Sequence, residues 1–239
     1  LAILKTIQFD SSYTGNLLNS QMEGNLLYIN KQLSGFKIFD ISVPQNTVEI
    51  AKYKHPLTGI SVFENKIAAA EHSRLMLLEL QDQTHFTVRD SIFIGGELHS
   101  IGAYSDYYYL FDEERGLIIL DVENPRSPEL AAIFKPDHKF NKSYIHWNYL
   151  FQSYGNQLWV YNLSIPAKPA FIDSFTLNGF IWHIEFQGKY LYVSELFAGI
   201  EILEFDPPSG IRQTKCYPNL EFSKTQVVDD RLFGQANSA

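Results

Sequence analysis

The chain has 239 residues, a formal net charge of -8 and a pI near 5.3, with 15% aromatic residues. The acidic balance excludes the basic footprint of a nucleic-acid binder, and no Lys or Arg run is long enough to hold an anionic membrane surface. A single cysteine, Cys216, excludes an intrachain disulfide, and no stretch approaches the ~20 apolar residues of a membrane span.

A repeat organises the rest. Asn25, Asn65, Asp106, Asn148, Lys189 and Asp230 stand 40, 41, 42, 41 and 41 residues apart, and each precedes a short apolar or aromatic run. A period of this size marks stacked supersecondary units, and four strands fill about 40 residues of a propeller blade.

In chain order, residues 1–9 match the fourth strand of a unit whose other strands lie elsewhere. Unit one then predicts four strands: around Gln21-Met22, Leu26 to Ile29, Gly35 to Asp40 and, after the Val43-Pro44 turn, Val48 to Tyr53. Unit two follows with Ile60 and Val62 at period two, Lys66 to Ala69, Leu75 to Glu79 and Thr87 to Phe93. Unit three places strands at Ile101-Ala103, Tyr107 to Leu110, Gly116 to Asp121 and Glu129 to Phe134. Unit four places them at Ile145, Tyr149 to Phe151, Leu158 to Asn162 and Ala170 to Phe175. Unit five places them at Ile184-Phe186, Tyr190 to Val193, Gly199 to Glu204 and Ile211 to Cys216. Residues 221–233 match the first two strands of a sixth unit.

Three residues past each marker runs an aromatic column, Tyr28, Tyr109, Phe151, Tyr192 and Phe233, broken only by Ala68. Prolines punctuate the third turns, where a fixed φ and a missing donor are tolerated. Helical periodicity is absent. The reading is an all-β propeller of four-stranded antiparallel blades in one domain spanning 1–239. It has six blades, near 14–54, 58–93, 98–134, 142–175, 180–216 and 221–239 with 1–9. The last is closed jointly by the N- and C-terminal strands, which removes exposed edges.

Gly116-Leu117-Ile118-Ile119-Leu120-Asp121-Val122-Glu123-Asn124-Pro125 and Gly35-Phe36-Lys37-Ile38-Phe39-Asp40 resemble the LVIVD repeat, as does the upstream Gly24-Asn25-Leu26-Leu27-Tyr28. The resemblance is strong in units one, three and four, weaker in five and poor in two, where Gln81-Asp82-Gln83 replaces the proline turn. It implies a bacterial or archaeal propeller that is exported, periplasmic or at the cell surface. A cytoplasmic home is the alternative. It carries over no catalytic residue. The chain opens on Leu1 rather than Met, so processing is expected, with a signal peptide or lipid anchor upstream.

Chemistry is sparse. No nucleophile elbow, zincin helix motif, phosphate loop or dinucleotide fingerprint is present. Glu97 with His99, and His183 with Glu185, each lie two residues apart on one strand face. His and carboxylate together suit a divalent metal, though the expected cofactor is none. His99 stands seven residues before its marker and His183 six, which puts them on opposite faces unless a bulge intervenes. Asp112 (in Asp112-Glu113-Glu114-Arg115) and Glu195 lie in turns after the second strand, on one expected rim. Trp182 and Trp147 flank inner strands and are the tryptophans suited to stacking, and Phe197 is an apolar loop residue. The expected function is a non-enzymatic binding or scaffolding propeller with a protein or glycan partner on one rim. The alternative is a hydrolase or lyase acting on a carbohydrate or lactone, with Glu97, Glu185, Asp112 and Glu195 as its candidate carboxylates.

Overall fold

The computed structural model describes residues 13, 17–31, 33–63, 66–81, 85–96, 98–112, 114–124, 127–138, 140, 142–207, 209–218, 220, 222–228 and 231–236, with the backbone alone at 17–19, 63, 99, 222–228 and 231–236. The strands divide between two compact units, Leu1–Lys135 and Pro136–Ala239.

The first unit holds three antiparallel four-stranded blades. Blade one is β1 (Leu17–Glu23), β2 (Leu26–Lys31), β3 (Gly35–Asp40) and β4 (Val48–Tyr53), with a 3-10 turn at Pro44–Asn46. Blade two is β5 (Gly59–Phe63), β6 (Lys66–Glu71), β7 (Arg74–Leu80) and β8 (Phe86–Phe93). Blade three is β9 (Leu98–Tyr104), β10 (Tyr107–Asp112), β11 (Gly116–Asp121) and β12 (Glu129–Phe134).

The second unit holds blade four, with β13 (Lys142–His146), β14 (Tyr149–Tyr154), β15 (Gln157–Asn162) and β16 (Ala170–Thr176). Blade five is β17 (Phe180–Gln187), β18 (Tyr190–Leu196), β19 (Gly199–Asp206) and β20 (Gly210–Tyr217). A two-stranded sheet, β21 (Phe222–Val228) and β22 (Arg231–Ala236), follows. Among the described residues the complete blades are therefore five rather than six, and the sixth unit shows its first two strands. The fourth strand expected from residues 1–9 lies outside the described residues. No helix among the described residues is long and apolar enough to cross a membrane.

The marker residues close the first hairpin of each blade. The residue before them adopts left-handed backbone at Gly24 (φ 56°), Ser105 (53°), Trp147 (53°) and Gly188 (56°). The marker carbonyl then accepts a hydrogen bond from the residue that ends or follows the third strand. These bonds run from Ile41 to Asn25, Val122 to Asp106, Leu163 to Asn148 and Phe205 to Lys189, each 2.8 Å. The acid or amide closing the third strand caps the next turn. Asp40 accepts from Ser42 N at 2.8 Å, Asp121 from Glu123 N at 2.9 Å and Asn162 from Ser164 N at 2.6 Å. The glycine that opens the third strand is dictated by space. A Cβ on Gly35 or Gly199 would lie 2.1 Å from the carbonyl oxygen of Tyr53 or Tyr217, and both residues have positive φ.

The cores lie between neighbouring blades. Tyr28, Phe36, Ile38, Ile60 and Ile67 join blades one and two, and Ala68, Leu75, Tyr108, Leu110 and Ile118 join two and three. Phe151, Leu158, Ile184, Val193 and Phe205 join four and five. Here Phe151 meets Phe186 at 5.0 Å and Phe205 edge-on at 5.3 Å. Tyr28 and Phe151 of the aromatic column thus lie in the interblade packing layers.

Two bulges recur. One falls in the first strand seven residues before the marker, where the ladder skips Leu18, His99, Trp182 and Ser223 in blades one, three, five and the two-stranded sheet. The other falls in every fourth strand, where Ile50, Arg89, Ala131, Ile172 and Thr214 are the extra residues. Such bulges bend a strand and re-aim one side chain.

Candidate functional site

Four exposed aromatic residues lie on segments at the end of blades four and five where the second strand turns into the third. Tyr154 ends β14, and Gly155 follows it in the turn. The Phe180 ring lies against that turn, since a Cβ on Gly155 would sit 3.5 Å from Phe180 Cε1. The backbone is joined there too, Ile181 N donating to Gly155 O at 2.8 Å. Phe180 pairs across the ladder with Leu196, and Phe197 is the next residue in the turn to β19. Trp182 is the bulged residue of β17. Lys142 donates from Nζ to Trp182 O, and its ammonium sits 5.0 Å from the indole centre.

The exposures are 45% for Tyr154, 64% for Phe180, 48% for Trp182 and 82% for Phe197. Phe197 also has φ 63°. A bulky side chain costs about 1–2 kcal/mol in left-handed backbone, and Phe197 recovers little of that by burial. His72 and Gly155 hold the same turn position at φ 51° and 60°, so the left-handed backbone belongs to the hairpin, and what sets Phe197 apart is the exposed aromatic ring placed there.

Beneath this rim lies a pair of carboxyl groups. Glu195, opposite Gly199, and Glu201, opposite Val193, share one face of the β18–β19 ladder. Glu195 is 2% exposed and Glu201 1%. Glu195 Oε2 accepts from Gly179 N, and Glu201 Oε1 accepts from Asn178 N at 3.2 Å and from Asn178 Nδ2. The two carboxyls are diagonal neighbours on that face, Glu195 standing two residues from Val193, the ladder partner of Glu201. Burial, then the charge of Glu201, push the Glu195 pKa up to about 8, against the opposing pull of the Gly179 N–H. Cys216, opposite Glu201 on β20, has its thiol pKa raised by burial and by Glu201 and Glu195.

The same two ladder positions carry other charges elsewhere. Blade one has Lys31 and Lys37, with Lys37 bonded to Glu49 at 2.8 Å and both ammonium groups near the Tyr13 ring. Blade three has Asp112, buried, which accepts from Arg115 N and Nη2 at 2.7 Å each and from Glu114 N at 3.1 Å. Burial alone would raise the Asp112 pKa, but the Arg115 and Glu114 hydrogen bonds and the Arg115 charge outweigh it and hold it below the usual carboxylate range. Asp112 is therefore the cap of its own turn.

His183 Nε2 lies 3.7 Å from Glu185 Oε2 on one face of β17. Glu97 and the His99 side chain lie outside the described residues. The His99 backbone is the bulge of β9, and Trp182 is its counterpart in blade five, so bulges do intervene in both strands. Trp147 sits in the opposite turn of blade four, with His146 bridging to Gly188 O at 2.8 Å. Among the described residues no group of three His, Cys, Asp or Glu side chains is placed to hold a metal ion. Sequence reasoning passed over Tyr154, Phe180, Asn178 and Glu201. Glu201 had a visible signal: it interrupts Gly199-Ile200-Glu201-Ile202, where other blades place Ile118 or Trp159.

The LVIVD repeat family matches residues 20–55 and 95–135, which are blades one and three. Blade four, expected to match as well, lies outside both stretches. It opens its third strand with Gln157 and closes it with Asn162, where the repeat has Gly and Asp. No curated protein sequence matches the chain. Among solved structures, the periplasmic gluconolactonase PpgL of Pseudomonas aeruginosa superposes with TM-score 0.66 at 12% identity, over 84% of this chain and 72% of that one. The Cps50 (Swd1) β-propeller domain of Myceliophteria thermophila gives 0.63 at 13% identity, over 88% and 73%. The computationally designed Ika8 protein gives 0.61 at 7% identity, over 92% and 68%. At such identities the likeness speaks for the fold alone. The chain is thus a β-propeller protein of four-stranded antiparallel blades that carries the LVIVD repeat in blades one and three.

Proposed function

We propose that this protein is a binding propeller that captures a protein partner on the aromatic rim of blades four and five. The observation that carries the reading is Phe197, 82% exposed in the turn that follows Leu196, the ladder partner of the exposed Phe180. Two of the four side chains are phenylalanines, with no polar handle for sugar hydroxyls. Exposed aromatic anchors of this kind are the residues that dominate protein–protein binding energy. Of the carboxylates considered for hydrolysis, the three described have neighbours in their own blades: Asp112 has Arg115, Glu185 has His183 and Glu195 has Glu201. An exported, periplasmic or cell-surface location belongs to the proposal, supported by the LVIVD repeats.

The test is selection of a displayed 12-residue peptide library on the immobilised chain, alongside a glycan array. Selected peptides should carry apolar or aromatic residues, and Phe197→Ala should weaken the best of them at least tenfold. Glycan binding lost on Trp182→Ala, with no Phe197-dependent peptide, would overturn the protein-partner reading in favour of a sugar-binding rim.

A further inference from the structure

Beyond the rim itself, the structure places a buried acid pair directly under both of its phenylalanine-bearing segments. We propose that Glu195 and Glu201 hold one proton between them as a latch, and that its loss frees the Asn178–Phe180 loop and the Phe197 turn, so the aromatic rim is organised only in the protonated state.

The geometry supplies each step. Glu195 Oε2 and Glu201 Oε1 accept every hydrogen bond recorded from the 178–179 segment. Glu195 Oε1 is buried and has no donor. Glu201 is the neighbouring carboxyl on the same ladder face, so a proton on Oε1 directed at Glu201 gives the orphaned oxygen a partner. Two carboxylates this close and this dry cannot both be ionised without large repulsion. The raised Glu195 pKa agrees with that requirement.

The titratable and charged groups facing the pair are few. Cys216 approaches from β20 as a thiol that both carboxyls hold in its neutral form. From β17, Ile181 lies opposite Glu195, and the nearby His183 is paired with Glu185 instead. The covering loop offers only Asn178 and the Gly179 N–H. Among the described residues no Lys, Arg or His forms an ion pair with either carboxyl, so none of the described basic groups offsets a second negative charge.

The loop and the turn are one packed object. A Cβ on Gly179 would stand 2.5 Å from Ala198 Cβ, 3.0 Å from Glu195 Oε2 and 3.1 Å from Leu196 O. Only glycine lets the loop lie on the turn this closely. Phe180 follows that glycine, and Phe197 lies between Leu196 and Ala198. A second charge beneath the contact pushes on both segments. The consequence for binding rests on the rim reading; the latch itself does not.

The experiment is an amide NMR titration of the full chain from pH 5 to 9.5, with Glu195→Gln beside it. The Gly179 amide should move with a midpoint well above pH 6, with broadening at residues 178–180 and 196–198. Glu195→Gln should keep the low-pH spectrum throughout, because its amide donates to Glu201 as the protonated acid does. A Gly179 midpoint below pH 5.5, or an unchanged titration in Glu195→Gln, overturns the latch. This arm needs no partner, so its failure is distinct from failure of the rim reading. In a second arm, the best peptide from the library should bind at least tenfold more weakly at pH 9 than at pH 6, and equally at both in Glu195→Gln. Equal binding by the native chain at the two pH values overturns the link between latch and rim.

Discussion

Trp147 and Phe197 are both bulky residues in left-handed backbone, and each holds a turn position that glycine takes in another blade. Trp147 stands where blades one and five have Gly24 and Gly188 at nearly the same φ. Trp147→Gly should therefore raise stability by about 0.5–1 kcal/mol in chemical denaturation, offset partly by the lost contact with His146, whose ring centre is 4.5 Å away. Phe197→Gly should stabilise by a similar amount, again about 0.5–1 kcal/mol. Only the second substitution should abolish peptide capture by the rim. The pair of substitutions is read out by denaturation and by the peptide assay together. The exposure of Phe197 was legible as an apolar residue in a loop, whereas its neighbours were not. Tyr154 and Phe180 lie 26 residues apart in the sequence and meet only through the Gly155 turn.

At the level of strands, unbroken apolar runs marked second and third strands such as β10 and β11, which are buried on both faces, and period two marked strands with one covered face. It hid the bulges, since one extra residue merely shifts the alternation. The offset between His99 and His183 is the trace it left: His99 is a bulge, and the bulge of blade five is Trp182. The polar residue in the middle of β1 was legible as alternation, but its task was not. Gln21 Nε2 donates to Val62 O at 2.6 Å and Gln21 Oε1 accepts from Val62 N at 3.0 Å, so one amide stitches β1 to β5. Gln21→Leu leaves both Val62 backbone groups without that partner. It should cost about 1–3 kcal/mol in urea denaturation. Glu201 could be suspected as a charge in an aliphatic strand. Its pairing with Glu195 depends on a hairpin register and a covering loop that no local pattern encodes.

For the whole chain the acid pair sets a pH profile. Glu195 has a folded pKa raised to about 8 from the ordinary 4.5. Its stabilising contribution is fully present below pH 4.5 and is lost as pH rises to about 8. Asp112 has the opposite sign: its pKa is lowered from 3.8, so its contribution holds above that value and falls away in stronger acid. Thermal stability should peak between pH 4 and 5 and drop on the order of 5 °C by pH 8.5. Glu195→Gln should flatten the drop, and a native chain whose Tm rises from pH 5 to 8.5 contradicts the assignment. The first-strand bulge has a further consequence. Leu18, His99, Trp182 and Ser223 occupy one address in four repeats, yet they are an aliphatic, an imidazole, an indole and a hydroxyl. A residue outside the ladder can be exchanged without disturbing register. The repeat thereby behaves as a fixed sentence with one open word, and new specificities can be written there while the grammar of the sheet stays the same.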